Sequence, residues 1–268
     1  MRFYLCLFVA PLLFLLGCTV PKTDVDNPAQ RARKLLQEAV KQNGLEDLNQ
    51  TAIRFRFRDY EYRYEKSEGQ YVYERWRRDT TSGKMIYDVL TNEGFHRFAD
   101  GAEVPLEPKR RDAYANSVNS VVYFAFLPYA LLDPAVQPRY LGRDTIKGEV
   151  LNLIGVTFRA EGGGKDFQDD YRYWFTPETH ELKYLAYAHP DGKIPRFRAA
   201  YNERTVDGIR VRDYRNYHTP QNTARNIDEL AQDYEMGALP LLSVIDLEDV
   251  RKVKLRPGFV INGKIPMD

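Results

Sequence analysis

The chain reads as a mainly β protein of the α+β class. We expect a curved antiparallel sheet or incomplete β-barrel of about ten or eleven strands, with two main helices on its concave side. Three observations predict this. The composition is rich in strand formers, with 19 Tyr and 14 Phe. Short alternating runs recur between Gly, Asn and Asp turn signals. Only two long stretches, Asn27–Gly44 and Lys109–Leu127, carry a sustained helical pattern.

The first element is a leader. Arg2, the apolar run from Phe3 to Leu16 and then Gly17 have the order of a secretory signal: a basic start, an apolar stretch and a small residue at the cut. Pro11 interrupts the run and Thr19, Pro21, Lys22 and Asp24 end it, so it falls short of the roughly 20 apolar residues that span a bilayer. Leu15-Leu16-Gly17-Cys18 resembles the lipobox of bacterial lipoproteins, with small and aliphatic residues before a lipidated cysteine. The resemblance implies a signal peptide at residues 1–17, removed on export, and a lipid, palmitate among its chains, on Cys18. Residues 18–26 then form a tether. Thr19 to Asn27 reach at most ~30 Å when extended, so the domain expected over 27–268 stays close to its membrane. Thr19 is not the acid associated with inner-membrane retention in enteric bacteria, which favours the outer membrane.

Asn27-Pro28 opens the first helix, Asn as cap and Pro at the first position. Ala32, Leu35, Leu36, Ala39 and Val40 form its apolar face, and Asn43-Gly44 closes it. Ile53, Phe55 and Phe57 then alternate with arginines, after which the parity shifts to Tyr60, Tyr62 and Tyr64. That shift predicts a bulge near Arg58-Asp59. Strands over Tyr71–Trp76, Met85–Leu90 and Phe95–Phe98 complete an antiparallel meander. The charges interleaved with its aromatics predict a solvated face.

Pro105-Leu106-Glu107-Pro108 breaks the meander, and the second helix follows over Lys109–Leu127. The run Val121–Leu132 carries no charge. Such an element is a core helix, or a lid over an apolar hole, and Pro128 should break it. Strands resume at Arg139–Arg143 and Val150–Ala160, the latter apolar on both sides and so expected to be covered on both faces. After the loop Glu161–Asp166 come Tyr171–Phe175, Leu182–Ala188 and Arg196–Arg204. Asp207-Gly208 turns into Ile209–Tyr217. A short helix over Ile227–Met236 and a final strand over Leu241–Lys254 end the chain.

Composition narrows the chemistry. Loss of the leader removes Arg2 and no acid, which brings the basic count level with the 38 acids. A nucleic-acid binder ordinarily shows a basic excess, and no nucleic-acid partner is expected. Cys6 leaves with the leader and Cys18 carries lipid, so no thiol is left for a disulfide, a metal or catalysis. His96, His180, His189 and His218 show no short metal-ligand spacing, and neither a metal nor another cofactor is expected. There is no Gly-x-Ser-x-Gly elbow, and no catalytic residue is assigned.

Three constellations stand out. The Gly162-Gly163-Gly164 loop, with Asp166, Asp169 and Asp170, is either a flexible hairpin or an ion contact, without Walker or EF-hand spacing. Arg196 and Arg198 share one side of a strand. They either meet anionic groups of a ligand or pair across strands with Glu203 or Asp213. The run Val121–Leu132 offers Tyr123, Phe126, Tyr129 and Leu132, with Trp174 on a later strand, as walls of an apolar site.

The element order over residues 27–254 resembles the LolA/LolB-like superfamily, whose incomplete β-barrel encloses an apolar cavity for lipid chains. A nearer resemblance is to an uncharacterised family of lipoproteins from diderm bacteria. It is carried by Val118-Asn119-Ser120-Val121-Val122-Tyr123-Phe124, Leu127-Pro128, Glu161-Gly162-Gly163-Gly164, Tyr171-Arg172-Tyr173-Trp174 and Arg196-Phe197-Arg198. These resemblances imply an anchored, non-enzymatic holder of a hydrophobic molecule or lipid. The expected ligand contacts are Tyr123, Phe126, Tyr129, Leu132, Trp174, Arg196 and Arg198. Two other readings stay open: an envelope glycan- or polymer-acting enzyme using strand-borne carboxylates, and a protein-interaction scaffold.

Overall fold

A computed structural model describes residues 27–161, 167–190, 194–220, 225–258 and 263–265. The leader, Cys18 and the Gly162–Asp166 segment lie outside the described residues. The described residues form two antiparallel sheets of seven strands that do not close into a barrel, with three α-helices. The first sheet holds β1 (Thr51–Phe57), β2 (Tyr60–Ser67), β3 (Gln70–Arg78), β4 (Met85–Thr91), β5 (Gly94–Ala99) and β6 (Ala102–Glu103) in sequence order, with β14 (Glu248–Val253) beside β1. The second runs from β7 (Val136–Ile146) through β8 (Glu149–Phe158), β9 (Asp170–Phe175), β10 (Leu182–Ala188), β11 (Arg196–Val206) and β12 (Ile209–His218) to β13 (Leu241–Ile245).

The fourteen strands among the described residues exceed the expected ten or eleven for three reasons, the first being that the run expected as one bulged strand is the two strands β1 and β2. The two-residue β6 is too short to leave a pattern. The expected final strand divides at Asp246-Leu247 into β13 and β14, which belong to different sheets. The chain thus steps from one sheet to the other there. β7 includes Pro138, which is tolerated because β7 is the edge of its sheet.

The parity shift at Arg58-Asp59 is a hairpin turn and not a bulge. Phe57 pairs with Tyr60 and Phe55 with Tyr62 across it. Paired residues share a face, so a two-residue turn moves the inward set from odd to even numbers, as a bulge also does. Arg58 takes φ 55° to make this turn.

Helix α1 (Pro28–Gln42) starts as expected: the Ala29 amide donates to Asn27 Oδ1 at 3.0 Å. Its buried face is Ala32, Leu35, Leu36, Ala39 and Val40; the first four pack on the inner side of the second sheet, chiefly β7, and Val40 joins the core beneath the first sheet. Its end is pinned to the β11–β12 hairpin. The Arg210 amide donates to Asn43 O at 2.9 Å, and Gly44, at φ 66°, passes so close to Gly208 O that a Cβ would lie 1.9 Å from it.

Helix α2 (Pro108–Ala125) stops short of Pro128, and a 3-10 turn over Tyr129–Leu132 follows. Its apolar C-terminal half is explained by its place between the sheets. Val122 and Phe126 join the core formed by Ile53, Phe55, Tyr62 and Tyr64. Tyr123 and Phe124 pack on the core formed by Ile154, Tyr171, Tyr173 and Leu185.

The outer faces are also covered. α3 (Leu230–Glu235) lies over Ile146, Leu151, Trp174 and Phe197, so β8 is covered on both sides as its sequence predicts. On the first sheet the expected solvated face is partly overturned. Arg63, Glu65 and Glu74 are at most 1% exposed, because the C-terminal segment crosses them. Arg256 Nε donates to Glu65 Oε2 at 2.6 Å and Nη1 to Glu74 Oε1 at 2.9 Å, while Arg63 Nη2 donates to Lys254 O at 2.6 Å. On the inner face Asp88 accepts from Arg75 Nε at 2.8 Å and Arg97 Nε at 2.6 Å.

Candidate functional site

A cleft of about 330 Å³ opens between α2 and the inner face of the second sheet. α2 contributes Ser120, Val121, Phe124 and Ala125. The facing strands present Tyr171, Tyr187, Arg198, Tyr214, Asn216 and Ile245, with Arg212 below and Phe57, Arg58 and Leu247 from the first sheet's end closing one side. These strand residues meet there because they occupy inward positions of neighbouring antiparallel strands: Tyr187 and Tyr171 are register partners, as are Arg198 and Asn216.

One wall is an aromatic stack. The Phe124 ring lies 5.7 Å from Tyr187, Tyr187 stacks on Tyr171 at 5.5 Å, and Tyr171 on Tyr173 at 5.9 Å. Such contacts fix rings beyond what burial alone supplies. The guanidinium carbon of Arg198 lies 3.9 Å over the Phe124 ring and 5.3 Å from that of Tyr187.

The cleft is also charged. Arg198 is 8% exposed, and its Nη2 donates to Tyr187 Oη at 3.1 Å. Arg198 Nε has no hydrogen-bond partner among the described residues, and neither has Arg212 Nε or Asn216 Oδ1. Both terminal nitrogens of Arg212 are occupied, Nη1 by Leu127 O at 3.0 Å and Nη2 by Asn43 Oδ1, with Glu203 Oε1 at 3.5 Å. Burial pushes the Tyr214 phenol up, opposed by the Arg212 and Arg198 charges. Asp169 is the one carboxylate among the lining residues, and its Oδ1 lies 3.5 Å from His189 Nε2.

Of the residues expected to bind ligand, Arg198 lines the cleft and the others lie elsewhere. Tyr123 is half-buried beside it, its hydroxyl 3.1 Å from that of Tyr173, and desolvation pushes both phenols up. Phe126 is core, with its ring centroid 5.0 Å from that of Tyr64. Tyr129 packs against the first sheet's core with Lys66 Nζ 5.6 Å from its ring. Leu132 is 36% exposed. Trp174 faces the opposite side of the sheet, under α3, where its Nε1 donates to Asp144 Oδ2 at 2.8 Å. Its neighbour Tyr173 takes the inner side, as strand alternation requires. Arg196 Nη1 donates to Ile194 O at 2.6 Å at the strand's start.

The cross-strand pairs considered for these arginines form with other partners. Asp213 accepts from Arg204 at 3.1 Å, and Glu203 lies 3.3 Å from Arg210. Phe124, Tyr187, Tyr171, Tyr214 and Arg212 escaped the sequence reading. The parity of Tyr171 and Tyr187 was available, but strand pairing brings them together and α2 covers them only in three dimensions. Among the described residues no group of three His, Cys, Asp or Glu side chains is placed to hold a metal, and no helix is long and apolar enough to cross a membrane.

A family model described as a family of unknown function, DUF6503, matches residues 11–247. No curated protein matches in sequence. Three solved structures are similar in fold. A LolA superfamily protein from Nitrosomonas europaea is 12% identical, with a TM-score of 0.46 over 84% of this chain and 93% of that one. A domain described as an outer-membrane lipoprotein-sorting protein, from Vibrio parahaemolyticus, is 8% identical at TM-score 0.46, covering 87% and 96%. A DUF1329 family protein from Desulfovibrio piger ATCC 29098 is 11% identical at TM-score 0.43, covering 84% and 93%.

Proposed function

The chain belongs to the DUF6503 family of unknown function, and from that premise we propose that it holds a hydrophobic ligand, a lipid or acyl chain, in the cleft beneath α2. One observation carries this reading: between α2 and the second sheet lies a cleft of about 330 Å³ walled by Val121, Phe124, Tyr171 and Tyr187. Ligand sites are concave, mostly apolar and typically ~300–1,000 Å³, with a few polar groups to orient the ligand. The lipobox at Leu15–Cys18 supports a lipid-anchored protein of the cell envelope, at the outer membrane, with the tether limiting it to a local holder. The full chain carrying Cys18→Ser, kept in solution, should bind a fluorescent fatty-acid probe saturably. A folded protein with no saturable binding would refute the reading. Incorporation of labelled palmitate by the wild type and not by Cys18→Ser tests the anchor.

The enzyme reading requires two acids facing each other in the cleft, and Asp169 stands there without a second carboxylate among the lining residues. The scaffold reading has one observation in its favour. β13 is an edge strand whose Leu241, Leu242 and Val244 are 51%, 48% and 43% exposed, and such edges accept strands from other chains. Loss of partner capture on Leu242→Lys, with probe binding intact, would separate the two.

A further inference from the structure

We propose that the cleft is built for a single-tailed amphiphile with an anionic head group, a carboxylate or phosphate monoester, whose head is bound by Arg198. The inference rests on the hydrophobic-ligand reading and adds the chemical class of the ligand.

The argument starts from charge. Arg198 is more than nine-tenths buried, lines the cleft and makes no ion pair among the described residues. A buried guanidinium is normally matched by a carboxylate. The other buried arginines of this chain follow that rule. Arg63 lies 2.9 Å from Glu65, Arg75 lies 2.8 Å from Asp88, and Arg212 lies 3.5 Å from Glu203. Among the described residues Arg198 meets the Tyr187 hydroxyl and two ring faces, and its Nε donor has no acceptor.

The guanidinium carbon lies over the Phe124 ring, and the Nε donor is left without an acceptor among the described residues. A planar guanidinium edge matches a carboxylate or phosphate, and such charge-assisted bonds are strong where water is excluded. Arg212 Nε, also unpartnered, and Arg58 at the rim add positive charge to the same cleft. Asp169 is the opposing charge in the lining; its Oδ1 lies 3.5 Å from His189 Nε2 and its Oδ2 accepts from Tyr171 Oη at 3.5 Å. The remaining walls, Val121, Phe124, Ala125, Ile245 and Leu247, are apolar and suit a chain. Head and tail are thus both provided for within one cleft.

Calorimetric titration of the full chain carrying Cys18→Ser, without detergent, tests this with laurate, dodecyl phosphate, dodecanol, acetate and inorganic phosphate. Laurate or dodecyl phosphate should bind roughly tenfold or more tighter than dodecanol, the difference one charge-assisted hydrogen bond makes. The tighter of the two identifies the head group. Arg198→Met should bring both to the dodecanol level and leave dodecanol within about twofold. Arg198→Lys should recover part of the loss, and Arg215→Met, an exposed residue over Tyr201, should change nothing. If Arg198→Met does not fold, the wild-type ratio of laurate to dodecanol affinity decides alone. Equal affinity for laurate and dodecanol overturns the inference and leaves the hydrophobic-ligand reading standing. Acetate or inorganic phosphate binding as tightly as the long-chain compounds also overturns it, since the site would then serve a free anion. Failure of every long-chain compound to bind overturns both readings.

Discussion

The guanidinium of Arg198, on β11, lies 3.9 Å over the ring of Phe124, on α2. This contact ties the helix to the second sheet and forms the cleft at the same point. A cation over a partly desolvated ring is worth about 0.5–2 kcal/mol, and the ring itself is only half-buried. The pair therefore holds α2 in place without filling the space beside it.

Phe124→Ala should lower stability by about 1–3 kcal/mol, below the full core value because the ring is part-exposed. It should also abolish saturable binding of the fluorescent fatty-acid probe. Urea unfolding and a probe titration on the same preparation check both effects.

Gly44→Ala should be among the most damaging single changes to the fold. A methyl group would meet Gly208 O, and φ 66° disfavours alanine besides. The end of α1 would have to leave the β11–β12 hairpin, breaking the Arg210–Asn43 backbone bond. We expect a loss of about 3 kcal/mol or more, read as a lower denaturation midpoint at unchanged urea slope.

Arg256→Met should cost about 3–5 kcal/mol, since it strips a cation from the buried carboxylates of Glu65 and Glu74 and leaves them with Arg63. Combining it with Glu74→Gln should cost less than the two single losses added together. Chemical denaturation of the four proteins of that cycle gives the coupling.

Alkali should unfold the protein in a characteristic way. Burial, the largest cause, raises the phenols of Tyr64, Tyr73, Tyr87, Tyr123 and Tyr173 above their ordinary 10.0. In the unfolded chain these groups ionise near pH 10; in the fold they keep their protons. Above that pH the unfolded state binds fewer protons, so stability present below pH ~10 falls as pH rises further. The phenolate absorbance contributed by these five tyrosines should therefore appear together with the loss of circular dichroism, not ahead of it.

The strands and the two long helices were legible from the sequence because periodicity and turn chemistry are local. Asn27 caps α1, and the Asp207-Gly208 turn joins β11 to β12 as their residue types predict. The division of the chain's last strand was not legible, because Leu241–Val253 looks continuous until each half finds its own sheet. The sense of the parity shift at Arg58-Asp59 was equally hidden, since a hairpin and a bulge leave the same trace. For the site, the strand position of Arg198 was legible, and the structure puts that side chain in the cleft lining. Trp174 misled because aromatic content says nothing of facing, and its neighbour Tyr173 holds the inner side. Phe124 was hidden inside a run apolar on every side, where no periodicity separates the residue that borders the cleft from Phe126, which fills the core.

The passage of the chain from β13 into β14 also sets an order of events. Ser243, Ile245 and Leu247 form part of the cleft wall, and β14 hydrogen-bonds to β1, the first strand to be made. During synthesis the earlier strands emerge while this wall is still missing, and the pairing that completes it joins residues near both ends of the described fold. Contacts between such distant parts of a sequence form late in folding. The cleft thus comes into being only once the chain's C-terminal strands have arrived, so anything it holds would enter after the wall is complete.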